Sequence, residues 1–87
     1  MELKGRLAKS LAGHDKDSIY VIIEEKENYV YLSDGKYRLM DNPKKKKVKH
    51  IEIIEYLDKD LFDKINNNIE VRNEEIKRSL KCYKKDI

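Results

Sequence analysis

From Leu3 to Leu32 the apolar residues suggest strands, not helices, because β-branched and aromatic residues sit in short runs bounded by turn formers. Leu7, Lys9 and Leu11 alternate with Arg6, Ala8 and Ser10 in a first half-buried strand that ends at Ala12-Gly13. His14-Asp15-Lys16-Asp17-Ser18 is then a polar turn, and Ile19-Tyr20-Val21-Ile22-Ile23 a second, strongly β-prone strand. The charged stretch from Glu24 to Asn28 returns the chain into Tyr29-Val30-Tyr31-Leu32, with Val30 and Leu32 on one face and Tyr29 and Tyr31 on the other. Ser33-Asp34-Gly35-Lys36 supplies another reversal, after which Tyr37-Arg38-Leu39-Met40 is expected as a short strand. Asp41-Asn42-Pro43 ends it, because proline has no N–H and restricts its predecessor. Val48 to Ile54 resumes β character as a closing strand, with Ile51 and Ile53 on one face.

The period changes after Glu55. Leu57, Leu61, Phe62 and Ile65 are spaced for one or two helical turns, and Asn66-Asn67-Asn68 interrupts them. Asn73 fits as an N-cap, with Glu74 and Glu75 at the positive end of a helix dipole, which predicts a helix over about residues 74–85. Ile76, Leu80 and Tyr83 form its apolar stripe, while Lys77, Arg78, Lys81, Lys84 and Lys85 make the later turns basic. The chain therefore divides into a mainly β unit, residues 1–55, and a helical C-terminal extension, residues 56–87. Strands this short and numerous suit a small closed or nearly closed barrel, with Leu7, Val21, Ile23, Val30, Leu32 and Ile53 expected in its core. The extension is explained by capping and packing alone, so it is expected to be separable from any binding role.

With 87 residues, 39% of them hydrophobic, the chain is sized for one core. No apolar run approaches the roughly 18 residues that span a bilayer, and Met1-Glu2-Leu3-Lys4-Gly5 lacks the apolar stretch of a secretory signal, so the expected location is cytoplasmic, without a membrane partner. Cys82 has no cysteine to pair with, and His14 and His50 lie far from it, so neither a disulfide nor a zinc spacing is present. Charge is distributed unevenly. Residues 36–50, KYRLMDNPKKKKVKH, hold seven of the 20 basic residues and one of the 17 acidic ones, a local balance of +6 that leaves −3 for the remainder. Attraction for a polyanion is thus concentrated in one segment, unless Lys44 to Lys47 is simply a solvated loop.

The stretch from Gly5 to Ile22, with a strand, then Ala12-Gly13-His14-Asp15-Lys16, then a second apolar strand, resembles a KOW motif. Asp34-Gly35-Lys36 and Pro43 with its lysine run extend the likeness to bacterial KOW proteins related to archaeal and eukaryotic large-subunit ribosomal proteins, over about two thirds of the chain. The resemblance implies an SH3-like barrel whose first loop meets RNA, with ribosomal RNA as the partner and ribosomal proteins as further neighbours. One residue departs from the pattern: Asp17 stands where the family carries a glycine, at a position whose left-handed backbone Asp tolerates at a cost of roughly 1 kcal/mol. Its carboxylate would also repel a nearby phosphate.

Lysine and arginine bind phosphates, and unpaired bases stack on aromatic rings, so the candidate RNA-binding residues are Lys9, Gly13, His14, Lys16, Lys36, Tyr37, Arg38, Lys44, Lys45, Lys46, Lys47 and Lys49. Tyr37 is the preferred stacking residue because Lys36 and Arg38 flank it. Tyr20, Tyr29 and Tyr31 are expected as half-buried packing. The lysine run, following Pro43, is expected to be exposed and replaceable with little effect on folding. No nucleophile stands near a plausible base, no glycine loop is arranged to cradle phosphates and no ligand cluster suggests a metal, so a non-enzymatic protein with no cofactor and no small-molecule substrate is expected. The alternative is a protein-interaction module of SH3-like type acting in transcription or translation complexes.

Overall fold

The computed structural model describes residues 3–85. Five strands, β1 (Leu7–Ser10), β2 (Ile19–Lys26), β3 (Tyr29–Ser33), β4 (Lys44–Lys47) and β5 (Ile51–Ile54), precede two helices, α1 (Lys59–Asn66) and α2 (Asn73–Lys85). The strands make one antiparallel sheet in the order β4-β3-β2-β1-β5. The fold is therefore mainly β with helices at the C-terminal end, as the hydrophobic pattern predicts, but the sheet is open and the expected closure is not seen. The closing strand does not run from Val48. Residues Val48–His50 form a single 3-10 turn that carries the chain from β4, one edge, to β5, the other. It is tied down by bonds from Val48 N–H to the Asn28 carbonyl (2.8 Å) and from Leu11 N–H to the His50 carbonyl (2.9 Å).

A second correction concerns Tyr37 to Met40, which form no strand. Asp34 Oδ1 accepts the backbone N–H groups of Lys36 (2.9 Å), Tyr37 (2.8 Å) and Arg38 (2.8 Å), so the donors a strand would offer a neighbour are already satisfied locally. Ser33 Oγ donates to the Arg38 carbonyl (2.7 Å) and closes the loop. The β2–β3 turn is tighter than the charged stretch suggests. Strand β2 continues to Lys26, opposite Tyr29, and Glu27, one of two turn residues, has a positive φ of 56°.

Both faces of the sheet are buried, and the expected single core is two. On one face Ala8, Tyr20, Ile22, Val30, Leu32 and Ile51 cluster with Leu3, and Val48 and Ile53 pack against them. In a flat sheet β4 and β1 would lie three strand spacings, roughly 14 Å, apart, yet the Lys46 ammonium of β4 donates to the carbonyl of Ala12, just past β1, at 2.8 Å, so the sheet curls. On the opposite face Leu7 and Val21 pack with Leu61 and Ile65 of α1, Val71, and Ile76 and Leu80 of α2, and Ile19, Ile23 and Ile54 lie alongside. Of the six residues expected in a barrel core, Val30, Leu32 and Ile53 belong to the first cluster and Leu7, Val21 and Ile23 to the second. Alternation along the strands makes this division; past Ile22 a bulge shifts the phase of β2. It lets β2 turn Glu24 outward while Glu25 Oε1, on the inner side, accepts the Leu3 N–H at 3.0 Å.

The segment after residue 55 packs back on the sheet. Asp58 caps α1 by accepting the Leu61 N–H at 3.2 Å. Asn73 does not cap α2. Its Oδ1 accepts the Met40 N–H (2.8 Å), while Glu75 holds the helix start by accepting the Arg72 N–H (2.9 Å). Helix α2 is thereby tied to the loop after β3. Among the described residues no helix is long and apolar enough to cross a membrane.

Candidate functional site

The lysine run forms strand β4, and alternation sends its side chains to opposite faces. Lys44 and Lys46 pair across the ladder with Leu32 and Val30, on the inner face of the curl, where Asp15 meets them. The Lys46 side chain is only 10% exposed, and its ammonium lies 2.7 Å from Asp15 Oδ1 and donates to the Ala12 carbonyl at 2.8 Å. Lys44 reaches Asp15 Oδ2 at 3.1 Å. Ser10 Oγ (2.9 Å) and the Tyr20 hydroxyl (3.0 Å) complete the set of donors around this carboxylate. Burial alone would raise the Asp15 carboxyl, but the bonds from Lys46, Ser10, Lys44 and Tyr20 together outweigh it and hold the group far below the usual carboxylate range. Burial, followed by the bond and negative charge of Asp15, pushes the Tyr20 hydroxyl up to about 12.

This arrangement corrects the expectation that the run is a replaceable, exposed loop. Lys44 and Lys46 hold the β1–β2 loop to the opposite edge of the sheet, and Asp15 offsets one of their two charges. Asp15 itself was not among the candidate residues. Its place beside Lys16 and Asp17 makes it look like one more turn residue, and nothing local in the sequence indicates that its partners stand about 30 residues away. Lys45 and Lys47 face outward beside Tyr31 and Tyr29, and the Lys45 ammonium sits 4.3 Å from the Tyr29 ring centroid.

The remaining candidates separate by location. Gly13, His14 and Lys16 are exposed on the β1–β2 loop, Lys9 is half-buried on β1, and Lys49 is exposed in the 3-10 turn. Asp17 has φ of +74°, the left-handed conformation expected at this departure from the motif, and its N–H bonds to the Ser10 carbonyl at 2.8 Å. Arg38 is half-buried beside the Asp34 loop. Lys36 and Tyr37 project from that loop: Tyr37 is 80% exposed, with the Lys36 ammonium 5.0 Å from its ring centroid.

Lys36 and Tyr37 border a cleft of about 720 Å3 whose opposite wall is α2. Asp17, Ser18 and Ile19 line its β1–β2 side, and Lys77, Lys81, Lys84 and Lys85 its helical side. Lys77, Lys81 and Lys84 stand at spacings of four and three on a single stripe of the helix, and Lys85, four residues beyond Lys81, borders it. Of the two carboxylates at the rim, Asp34 is engaged by three backbone N–H groups. The docking depends on Gly35, whose φ is +73° and where any Cβ would run into the Asn73 carbonyl and the Lys77 N–H. The site is thus built by the Asp34 loop and α2 together. Sequence reasoning noted the basic turns of this helix but gave them no binding role; the missed signal was that its lysines share one face.

Among the described residues no group of three or more His, Cys, Asp or Glu is placed to hold a metal ion. The sequence matches no protein-family model and no curated protein.

Proposed function

We propose that the protein is a non-catalytic RNA-binding protein, built on a KOW-type SH3-like sheet and acting on ribosomal RNA of the large subunit. The observation that carries this reading is the cleft at α2, where five lysines and an exposed tyrosine face one another across space that two separate chain segments create. Clustered ammonium groups on flexible stems neutralise phosphates without reading base edges, and an aromatic ring beside them offers a stacking surface. The curl of the sheet around the first cluster and the left-handed Asp17 in the β1–β2 loop agree with the resemblance of residues 5–22 to the KOW motif. The phosphate-binding surface assigned here is Lys36, Lys77, Lys81, Lys84 and Lys85, with Lys16, Lys45, Lys47 and Lys49 as exposed lysines elsewhere.

The test is a salt titration. Binding of a ribosomal RNA fragment should weaken as salt rises, with a logarithmic slope of about 0.7 per phosphate neutralised on a single strand. Replacing Lys77, Lys81, Lys84 and Lys85 by glutamine removes up to four such contacts and should lower the slope by about 3, with the circular dichroism unchanged because all four are exposed. Unchanged affinity and slope in this variant would refute the assigned surface. No detectable RNA binding by the wild-type protein would refute the function and favour a protein-interaction module.

A further inference from the structure

We infer that the cleft takes an unpaired RNA strand, its phosphates along α2 and one base stacked on Tyr37, rather than duplex RNA. The inference rests on the proposed RNA-binding function and goes further by naming the form of RNA. Four properties of the cleft select that form. Its apolar lining is the half-buried Ile19 with the edge of the buried Leu80, which suits the flat face of a base and offers nothing to a phosphate. Four of its five lysines lie on one wall, where Lys77, Lys81 and Lys84 span roughly 10 Å of helix at 1.5 Å per residue. The facing rim carries Asp17, whose carboxylate repels a phosphate and so keeps the backbone on the helical wall.

Tyr37 supplies the remaining property. A ring that is 80% exposed contributes nothing to the core, and the Lys36 ammonium lies over one face and leaves the other open. Stacking on that face needs a base already out of its helix, because bases in a duplex are stacked on each other and its readable surface is sugar and phosphate. A strand with its backbone against α2 and its bases turned inward satisfies lining, wall and rim at once. A duplex would engage the lysines only and leave Ile19, Leu80 and Tyr37 unused.

The experiment compares a labelled ten-nucleotide RNA of mixed sequence with the same strand annealed to its complement, using the full chain and its variants Tyr37→Ala and Tyr37→Phe. The wild type should bind the single strand at least about ten-fold more tightly than the duplex, and Tyr37→Ala should lose about ten-fold on the single strand, the scale of one stacked base. The salt slope should be unchanged in Tyr37→Ala, since no phosphate contact is removed, and Tyr37→Phe should bind as the wild type does. Equal or tighter binding of the duplex, with Tyr37→Ala indistinguishable from wild type, would overturn the inference while leaving RNA binding through the lysines intact. Binding of neither RNA, with capture of a polyglutamate peptide instead, would overturn both the inference and the function on which it rests.

Discussion

Two lysine-rich segments of this protein put the same side chain to opposite uses. In β4 four consecutive lysines alternate between faces, so the fold takes Lys44 and Lys46 inward to a shared carboxylate and leaves Lys45 and Lys47 outside. In α2 the lysines are dispersed through the sequence, yet the 3.6-residue period gathers Lys77, Lys81 and Lys84 on one stripe beside a cleft, with Lys85 at its border. The denser run displays less charge. Counting cations along the chain therefore misjudges where a polyanion would be held, because periodicity and the location of counter-charges decide which ammonium groups meet solvent.

The largest expected effect comes from breaking the contact that builds the α2 cleft while leaving the β4 ion cluster untouched. Gly35→Ala adds a side chain at a positive φ against the first turn of α2, and should cost about 3 kcal/mol in urea unfolding. If the two regions are independent, the Asp15 cluster, read by the loss of stability at low pH, survives in the variant while RNA affinity falls.

Removing the carboxylate at the other region comes next. Asp15→Ala strands Lys44 and Lys46 beside apolar neighbours and should destabilise by about 2 kcal/mol, within the range of a hydrogen bond to a charged group. Its RNA affinity, corrected for folded fraction, should stay at the wild-type level. A variant as stable as wild type would show that the cluster is decorative and would restore the run to a solvated strand.

The same group sharpens the comparison through pH. Folding depresses the Asp15 carboxyl below its ordinary value of 3.8, so the unfolded chain takes up the proton first. The stabilisation is fully present above that ordinary value and is lost as pH falls through it toward the folded value. Unfolding free energies measured between pH 6 and pH 2 should therefore decline more steeply for the wild type than for Asp15→Asn, and parallel curves would contradict the assigned ion cluster.

Smaller effects belong to single positions. Asp17→Gly relieves a left-handed backbone and removes a carboxylate from the cleft rim, so thermal unfolding should show a gain of roughly 0.5–1 kcal/mol and RNA binding should tighten. Lys45→Gln gives up only an exposed contact with Tyr29 and should change stability by no more than about 0.5 kcal/mol, against the larger loss expected when its neighbour Lys46 is changed in the same way. Equal effects at the two positions would erase the distinction between inward and outward lysines.

Local patterns in the sequence were sufficient for the strands β1, β2, β3 and β5, for the face that carries Val30 and Leu32, and for two C-terminal helical segments, because period and turn chemistry act over a few residues. One further signal was available and went unused: the unbroken apolar run Ile19-Tyr20-Val21-Ile22-Ile23 marks a strand buried on both faces, and thus a second layer over the sheet. The conformation at Asp17 was also legible, since the departure from the motif falls at a position of positive φ. What only the tertiary structure decided were pairings between distant segments. The loop bonded to Asp34 replaced the strand expected at Tyr37 to Met40, Asn73 turned to the Met40 N–H instead of capping its own helix, and Lys44 and Lys46 found Asp15 across the sheet. Each of these outcomes is a competition for a polar partner, and the winner depends on which groups the packed core brings within about 3 Å, a distance that no spacing along the chain encodes.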